Sequence, residues 1–222
     1  MTSNTRRERE KKELRTRILD AARELFAEHG FEAVTMRKIA EKIEYTPTAL
    51  YFHFADKDAL IRELCANDFQ VLAESFASFI GITDPVERFR AIGRGYASFA
   101  ISHPQHYRMM FMTPATREMD AEQLKKKGDP MQDAYAFLRW TMQECIDQGR
   151  LRDEFADADL AAQIAWGAMH GVVALHVTHG KDSWVAWADV ERRIEGAISA
   201  LTHGMVVPAA ATPSKAIKKK ET

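Results

Sequence analysis

Cysteine is scarce in this 222-residue chain. Its only two, Cys65 and Cys145, lie far apart in helical, apolar settings, which excludes a disulfide framework and predicts reduced, buried thiols. Neither sign of charge is in excess: 31 Lys and Arg stand against 32 Asp and Glu, so indiscriminate coating of nucleic acid is excluded and any such binding needs a local patch. Residues 1 to 17 are charged and lack the apolar core of a signal peptide. The longest apolar run, Leu160 to Val177, contains Gln163, His170 and His176 and reads as a buried helix rather than a membrane span. A cytoplasmic protein with no membrane partner is expected. There is no glycine-rich phosphate loop and no nucleophile elbow. His103 and His106, His176 and His179, and His203 have no carboxylate or cysteine at a supporting spacing, and Pro104 interrupts the first pair. No enzyme, metal or cofactor is expected, and a helical metal-binding protein or enzyme is a remote alternative.

What is present centres on Thr35 to Phe54, two short helical patterns joined by a tight turn. Thr35 can cap the first, whose inward face is Ile39, Ala40 and Ile43. Thr46 followed by Pro47 supplies a cap and a first-turn proline for the second, and Glu44 and Tyr45 leave room only for a turn. A helix-turn-helix, and with it DNA binding, is the reading. Upstream, Ile18, Ala22, Leu25 and Phe26 share one helical face ending at Gly30, with Phe31 placed as the apolar partner of a glycine cap. Downstream, Asp56 can cap a helix that turns Leu60, Ile61 and Leu64 inward.

These residues together resemble the amino-terminal domain of the tetracycline-repressor (TetR) family. The pattern is Ile18, Ala22, Leu25, Phe26, Gly30, Phe31, Thr35, Ile39, Ala40, Leu50, Tyr51, His53, Phe54, Lys57 and Leu60, within residues 12–65. Glu44 and Tyr45 stand where the family usually has a glycine and a small or aliphatic residue, and a glutamate in the left-handed region costs roughly 1 kcal/mol. The resemblance implies phosphate contacts from Thr35, Tyr51, His53 and Lys57. With the residues of the helix-turn-helix itself, the DNA-binding candidates are Thr35, Arg37, Lys38, Tyr45, Thr46, Pro47, Thr48, Ala49, Tyr51, Phe52, His53 and Lys57. Thymine methyls are the expected targets of the second helix, Arg37 is the candidate to read a guanine, and Lys38 is expected to serve phosphate.

Helical period continues to the carboxy terminus without a convincing strand, so an all-α fold of about nine helices is expected. Its parts are a flexible basic arm over 1–11, with Arg15 and Arg17 extending the basic patch, a three-helix DNA-binding domain over 12–65, a helical regulatory and dimerisation domain over 66–207, and a disordered tail over 208–222 rich in Ala, Lys, Pro and Thr. The expected helices include one from Asp56 to near Ile80, one bearing Phe89, Ile92, Tyr96, Phe99 and His103, and two last ones near 157–179 and 184–205. Pro114 to Asp129 reads as a polar loop or frayed helix. Tyr96, Phe99 and Ala100, then His103, Pro104, Tyr107, Arg108, Met110 and Phe111, with Trp166, His170 and Gly171, resemble the TetR-type carboxy-terminal domain named WHG. That resemblance implies a dimerisation surface and an effector cavity.

Independently, one helix-turn-helix covers few base pairs, and a twofold protein on an inverted repeat supplies specificity. The dimer-interface candidates are Ala165, Ala168, Val172, Leu175, Val190, Ile194, Ile198 and Leu201, on two helices that could form a four-helix bundle with a second copy. Candidate ligand-binding residues are Phe99, His103, Tyr107, Met110, Phe111, Met131, Tyr135, Met142, Trp166, Met169 and His170, with Trp140 beside them. This aromatic and methionine inventory suits a small, apolar, weakly charged effector. The function expected is a homodimeric repressor released from a palindromic operator by that effector. An effector-independent DNA-binding activator or architectural protein is the alternative.

Overall fold

Thr35, Thr46 and Asp56 each stand where a helix begins. In the structure, a computed structural model that describes residues 3–112 and 121–207, each of these side chains accepts a backbone N–H three residues on, from Lys38, Ala49 and Ala59 respectively. The helices they start are α2 (Met36–Lys42), α3 (Pro47–Tyr51) and α4 (Lys57–Ala77). Ahead of them lies α1 (Ser3–His29), which ends as Gly30 takes φ 76° and Phe31 folds back to 5.7 Å from the Phe26 ring. The head core is Ile18, Ala22, Leu25, Phe26, Ile39, Ala40, Ile43, Leu50, Phe54, Leu60, Ile61 and Leu64, all buried.

One local expectation changes. Residues 3–11, expected as an arm, form the first turns of α1, exposed from Thr5 on, and their alternating charges fall one helical turn apart. Arg6 pairs with Glu10 at 2.8 Å and Arg9 with Glu13 at 3.4 Å. Of the two arginines beyond this stretch, Arg15 is ion-paired and Arg17 stays exposed. Arg15 chelates Glu63 of α4, donates to the His53 carbonyl and lies 4.3 Å from the Phe54 ring centre. Arg17 donates to the Ile43 carbonyl and lies over the Tyr45 ring.

The body comprises α5 (Pro85–Ser102), α6 (Pro104–Met112), α7 (Ala121–Lys126), α8 (Ala134–Asp147), α9 (Ala158–His179) and α10 (Val190–Met205). Ten α-helices and two 3-10 turns, Ser78–Gly81 and Asp153–Phe155, therefore make up the described residues, and α7, inside the stretch read as loop or frayed helix, accounts for the tenth. The last helix starts at Val190 rather than near 184, because Asp189 caps it by accepting the Arg192 N–H, leaving Trp184 outside and 75% exposed. The tail over 208–222 and residues 113–120 lie outside the described residues.

Phe89, Ile92 and Phe99 of α5, Phe137, Leu138, Met142 and Cys145 of α8, Ala161, Ala165 and Met169 of α9, and Ile194 and Ile198 of α10 form the body core. Among the described residues α9 is the one helix long and apolar enough to cross a membrane, and one of its faces is packed into this core. Burial pushes the Cys145 thiol up to about 11; neither cysteine forms a disulfide, and Cys65 is half-buried rather than buried.

Head and body meet through α4. Its first turns enter the head core, Leu72 and Phe76 enter the body core, and Asp68 between them is 2% exposed, accepting from Arg23 of α1 at 2.7 Å and pairing with His106 of α6 at 3.0 Å.

In the interhelical turn Glu44 takes φ 61°, the left-handed conformation that glycine accommodates without a Cβ penalty. Replacing Glu44 by Gly is expected to stabilise the protein by about 0.5 to 1 kcal/mol in denaturant unfolding. Unchanged or lowered stability would show that the Glu44 side chain compensates its own backbone strain.

Candidate nucleic-acid interface and ligand cavity

The caps of α2 and α3 aim one continuous surface outward. Thr35, Arg37, Lys38, Tyr45, Thr46, Pro47, Thr48, Tyr51 and Phe52 are exposed, and Ala49, His53 and Lys57 are half-buried at its edge. Phe52 is 82% and Tyr51 54% exposed, so neither serves the head core, which is closed instead by Leu50 and Phe54 from the same short segment. The cations are less free than the sequence suggests. Arg37 pairs with Glu41 at 2.8 Å, with both side chains largely exposed, an arrangement worth little and easily exchanged for another partner. Lys38 donates to the Ala33 carbonyl. Lys57 donates to the Phe31 and Val34 carbonyls at 3.0 and 3.1 Å and lies 3.9 Å from the Phe31 ring centre, so it ties α4 to the loop before α2 and keeps one N–H to spare. His53 is held below the ordinary imidazole range by burial, then by Arg15 and Lys11.

Behind the head, α4, α5, α6, α7, α8 and α9 border a cavity of about 740 Å³, within the size range of small-molecule sites. Four of the residues expected to bind a ligand border it: Phe111, Tyr135, Trp166 and Met169. The others do not. Tyr107, Met110 and Met142 are fully buried in packing, and Met131 lies outside at 45% exposure. Phe99 and His103 border a separate 320 Å³ cleft between α1, α4 and α5. Trp140 stacks on the Arg88 guanidinium at 4.0 Å instead. His170 sits one layer behind the wall. The sequence reading missed the wall supplied by α4, including Arg62, Cys65, Phe69, Gln70, Leu72 and Phe76, together with Lys126 and Lys127. The repeat of α4 residues at three- and four-residue steps was visible, but it had been absorbed into the connection between head and body.

A hydrogen-bonded hub backs the cavity. The Trp166 indole N–H donates to the Tyr96 hydroxyl at 3.3 Å, and the Tyr96 and Tyr107 hydroxyls lie 2.9 and 2.8 Å from Nδ1 of His170. Nδ1 can accept there only if the imidazole is neutral with its proton on Nε2. Burial holds His170 below its ordinary range, pushes Tyr107 up to about 12 and raises Tyr96 further. The three WHG-type residues thus divide their tasks. Trp166 borders the cavity, His170 orders two tyrosines, and Gly171 has open space where a Cβ would be.

On the far side of α9 and α10 the expected interface residues separate. Ala165, Ile194 and Ile198 face inward, whereas Ala168 and Leu175 are exposed and Val172, Val190 and Leu201 are half-buried. Exposed Ile164, Gly167, Gly196, Ala200 and Gly204 complete a face of small and aliphatic residues on the two helices.

With this geometry in view, residues 18–64 match the family model for bacterial regulatory proteins of the tetR family, and residues 89–201 match the tetracyclin repressor-like C-terminal domain, which alone spans over half the chain. The HTH-type transcriptional regulator UidR of Escherichia coli K12 is 46% identical over 54 residues, 24% of this chain, which span only 28% of that relative's length. The HTH-type transcriptional repressor AcnR of Corynebacterium glutamicum is 28% identical over 86% of this chain and 82% of its own length. A solved structure of a protein of unknown function from Rhodococcus sp. RHA1 superposes with a TM-score of 0.71 at 20% identity, over 87% of this chain and 96% of that one.

The neutral state of His170 makes stability depend on pH. The unfolded imidazole takes up a proton near its ordinary 6.5, while the buried one resists. The stability contributed is therefore fully present above that value and is lost as pH falls toward the lowered folded value. Denaturant unfolding between pH 8 and pH 5 is expected to show this decline, and His170→Gln to flatten it while costing about 1 kcal/mol at pH 8. An identical slope in the variant would assign the titration elsewhere, with His53 the next group to replace.

Proposed function

The chain belongs to the tetracycline-repressor family of bacterial regulators, and we propose that it is a homodimeric, sequence-specific transcriptional repressor released from an inverted-repeat operator by a ligand in the cavity behind its head. The observation that carries this reading is the course of α4. The same helix is packed into the head at Leu60, Ile61 and Leu64 and walls the cavity at Phe69, Leu72 and Phe76. A ligand that favours one position of α4 shifts the head with it, and a shift in head spacing discriminates against a site of fixed spacing.

DNA contact is assigned to the exposed face of α2 and α3. Thr46, Pro47, Thr48, Ala49, Tyr51 and Phe52 offer apolar and hydroxyl contacts suited to thymine methyls, with no bidentate reader of a purine edge among them. Arg37 is the candidate to read a guanine once it leaves Glu41, and Thr35, Lys38, His53 and the spare Lys57 N–H serve phosphate. The second copy is assigned to the face around Ile164, Ala168 and Leu175 of α9 and Gly196 and Ala200 of α10, whose small side chains permit close helix approach. The function is cytoplasmic and non-enzymatic on this reading.

Selection from a random double-stranded DNA pool is expected to return an inverted repeat, and ultracentrifugation to show a dimer at micromolar concentration. Ala168→Glu is expected to weaken dimerisation and operator binding together. A monomer that binds half-sites as tightly as full sites would refute the assembly. Arg37→Ala is expected to cost about 1 to 3 kcal/mol at one base pair per half-site. An even loss across single-base operator variants, with the salt slope lowered by about one, would instead make Arg37 a phosphate contact.

A further inference from the structure

The cavity has two unlike ends. Its inner end is carbon: Leu72, Phe76, Phe89, Ile92 and Met169 border it, and at Gly93 the helix α5 comes so near α10 that a Cβ would meet Cγ1 of Ile198 at 3.1 Å. The polar atoms nearby, the Tyr96 hydroxyl and the Trp166 indole N–H, are bound to each other and to the His170 hub. A charge placed at this end would be desolvated without a partner and is strongly disfavoured.

The rim is cationic. Arg62 of α4, Lys126 at the end of α7 and Lys127 after it all border the cavity. The two carboxylates sharing that rim are already satisfied: Glu63 is chelated by Arg15, and Asp133 accepts N–H groups from Gly128, Tyr135 and Ala136. Among the described residues Arg62 and Lys127 make no ion pair, and Lys126 gives its ammonium to the Gln70 amide oxygen at 3.0 Å. The α4 wall from Arg62 to Phe76 is about 21 Å long at ~1.5 Å per residue, so the space favours an elongated guest over a compact one.

We propose that the effector is a long-chain carboxylate, its hydrocarbon body along α4 toward Phe76, Phe89 and Ile92 and its head against Arg62 and Lys127. This deepens the effector reading above and rests on it. It also departs from the weakly charged ligand expected from sequence, because that expectation weighed the inward helical stripes, whereas these cations stand at the rim. Charge-assisted hydrogen bonds to a carboxylate are the strong ones, and at a partly shielded rim they select between guests of equal apolar body.

Titration of the full chain with dodecanoate and with dodecan-1-ol, both below aggregation, tests this by calorimetry and thermal melting. Dodecanoate is expected to bind about tenfold more tightly than the alcohol and to raise the melting temperature more. The double variant Arg62→Gln with Lys127→Gln is expected to lose about tenfold in dodecanoate affinity and less than about twofold for the alcohol. Equal affinity of the two probes for the unmodified protein, or an equal loss of both in the variant, overturns the carboxylate assignment and leaves an apolar effector standing. Failure of both probes to bind overturns the assignment and the apolar-effector reading together. If the double variant melts lower without ligand, the comparison of probes on the unmodified protein still decides.

Discussion

The architecture depends on one helix satisfying two hydrophobic cores. The inward residues of α4 change allegiance along its length, from Leu60, Ile61 and Leu64 in the head to Leu72 and Phe76 in the body. At the changeover stands Asp68, a carboxylate with almost no solvent contact. An ionised group there is tolerable only because Arg23 reaches it from α1 and His106 from α6. Removing one partner of such a cluster leaves an uncompensated buried charge, so the contact fixes register more than it adds stability. The body also enters the head directly, since Met109 of α6 is part of the head core. Head and body are thus packed units with a polar pin at their joint.

That joint constrains how a cavity occupant can act. Residues of α4 from Ala59 to Phe76 border the cavity, so on the proposed reading an occupant would bear on a helix whose near end is packed into the head. The opposite wall is braced by hydrogen bonds: Tyr135 donates to Asp159 and accepts from Gln163, and Trp166 is tied to Tyr96. On the proposed reading a guest between that wall and the shared helix would transmit its volume to the helix, because packed interiors are bistable rather than continuously deformable.

Much of the fold was legible because its signals are local. Cap residues at Thr35, Thr46 and Asp56, the glycine stop at Gly30, the stripe of α1 and the α5 stripe from Phe89 to Phe99 are read from spacing alone, and the structure keeps them. The start of α10 was misjudged because Trp184 and Trp187 continue an apolar pattern that Asp189 interrupts only by capping. The cavity wall was less legible for a different reason. Whether Met142 fills a core or Met169 borders a void depends on which helices diverge, and helical period carries no information about divergence. Charged residues raised the same ambiguity. Arg15 looked like part of a basic patch in sequence, yet it pairs with Glu63 within the head.

That pairing bears on how such a head could bind DNA at all. With Arg15 paired to Glu63, two of the three Lys57 donors engaged within the head and no net positive charge on the chain, the electrostatic attraction of one head for phosphate is modest on the proposed reading. On that reading, shape and apolar fit at the exposed Tyr51 and Phe52 and at the α3 hydroxyls would then carry more of the affinity, discriminating among sequences but contributing little per contact. A surface of that kind gains most from being doubled, since joining two heads rigidly turns the second binding event into an intramolecular one. The gain survives only while the two heads keep the spacing of successive major grooves. A head that binds weakly by itself is therefore the kind whose occupancy a small displacement of α4 can abolish, whereas a strongly basic head would cling to phosphate in either state.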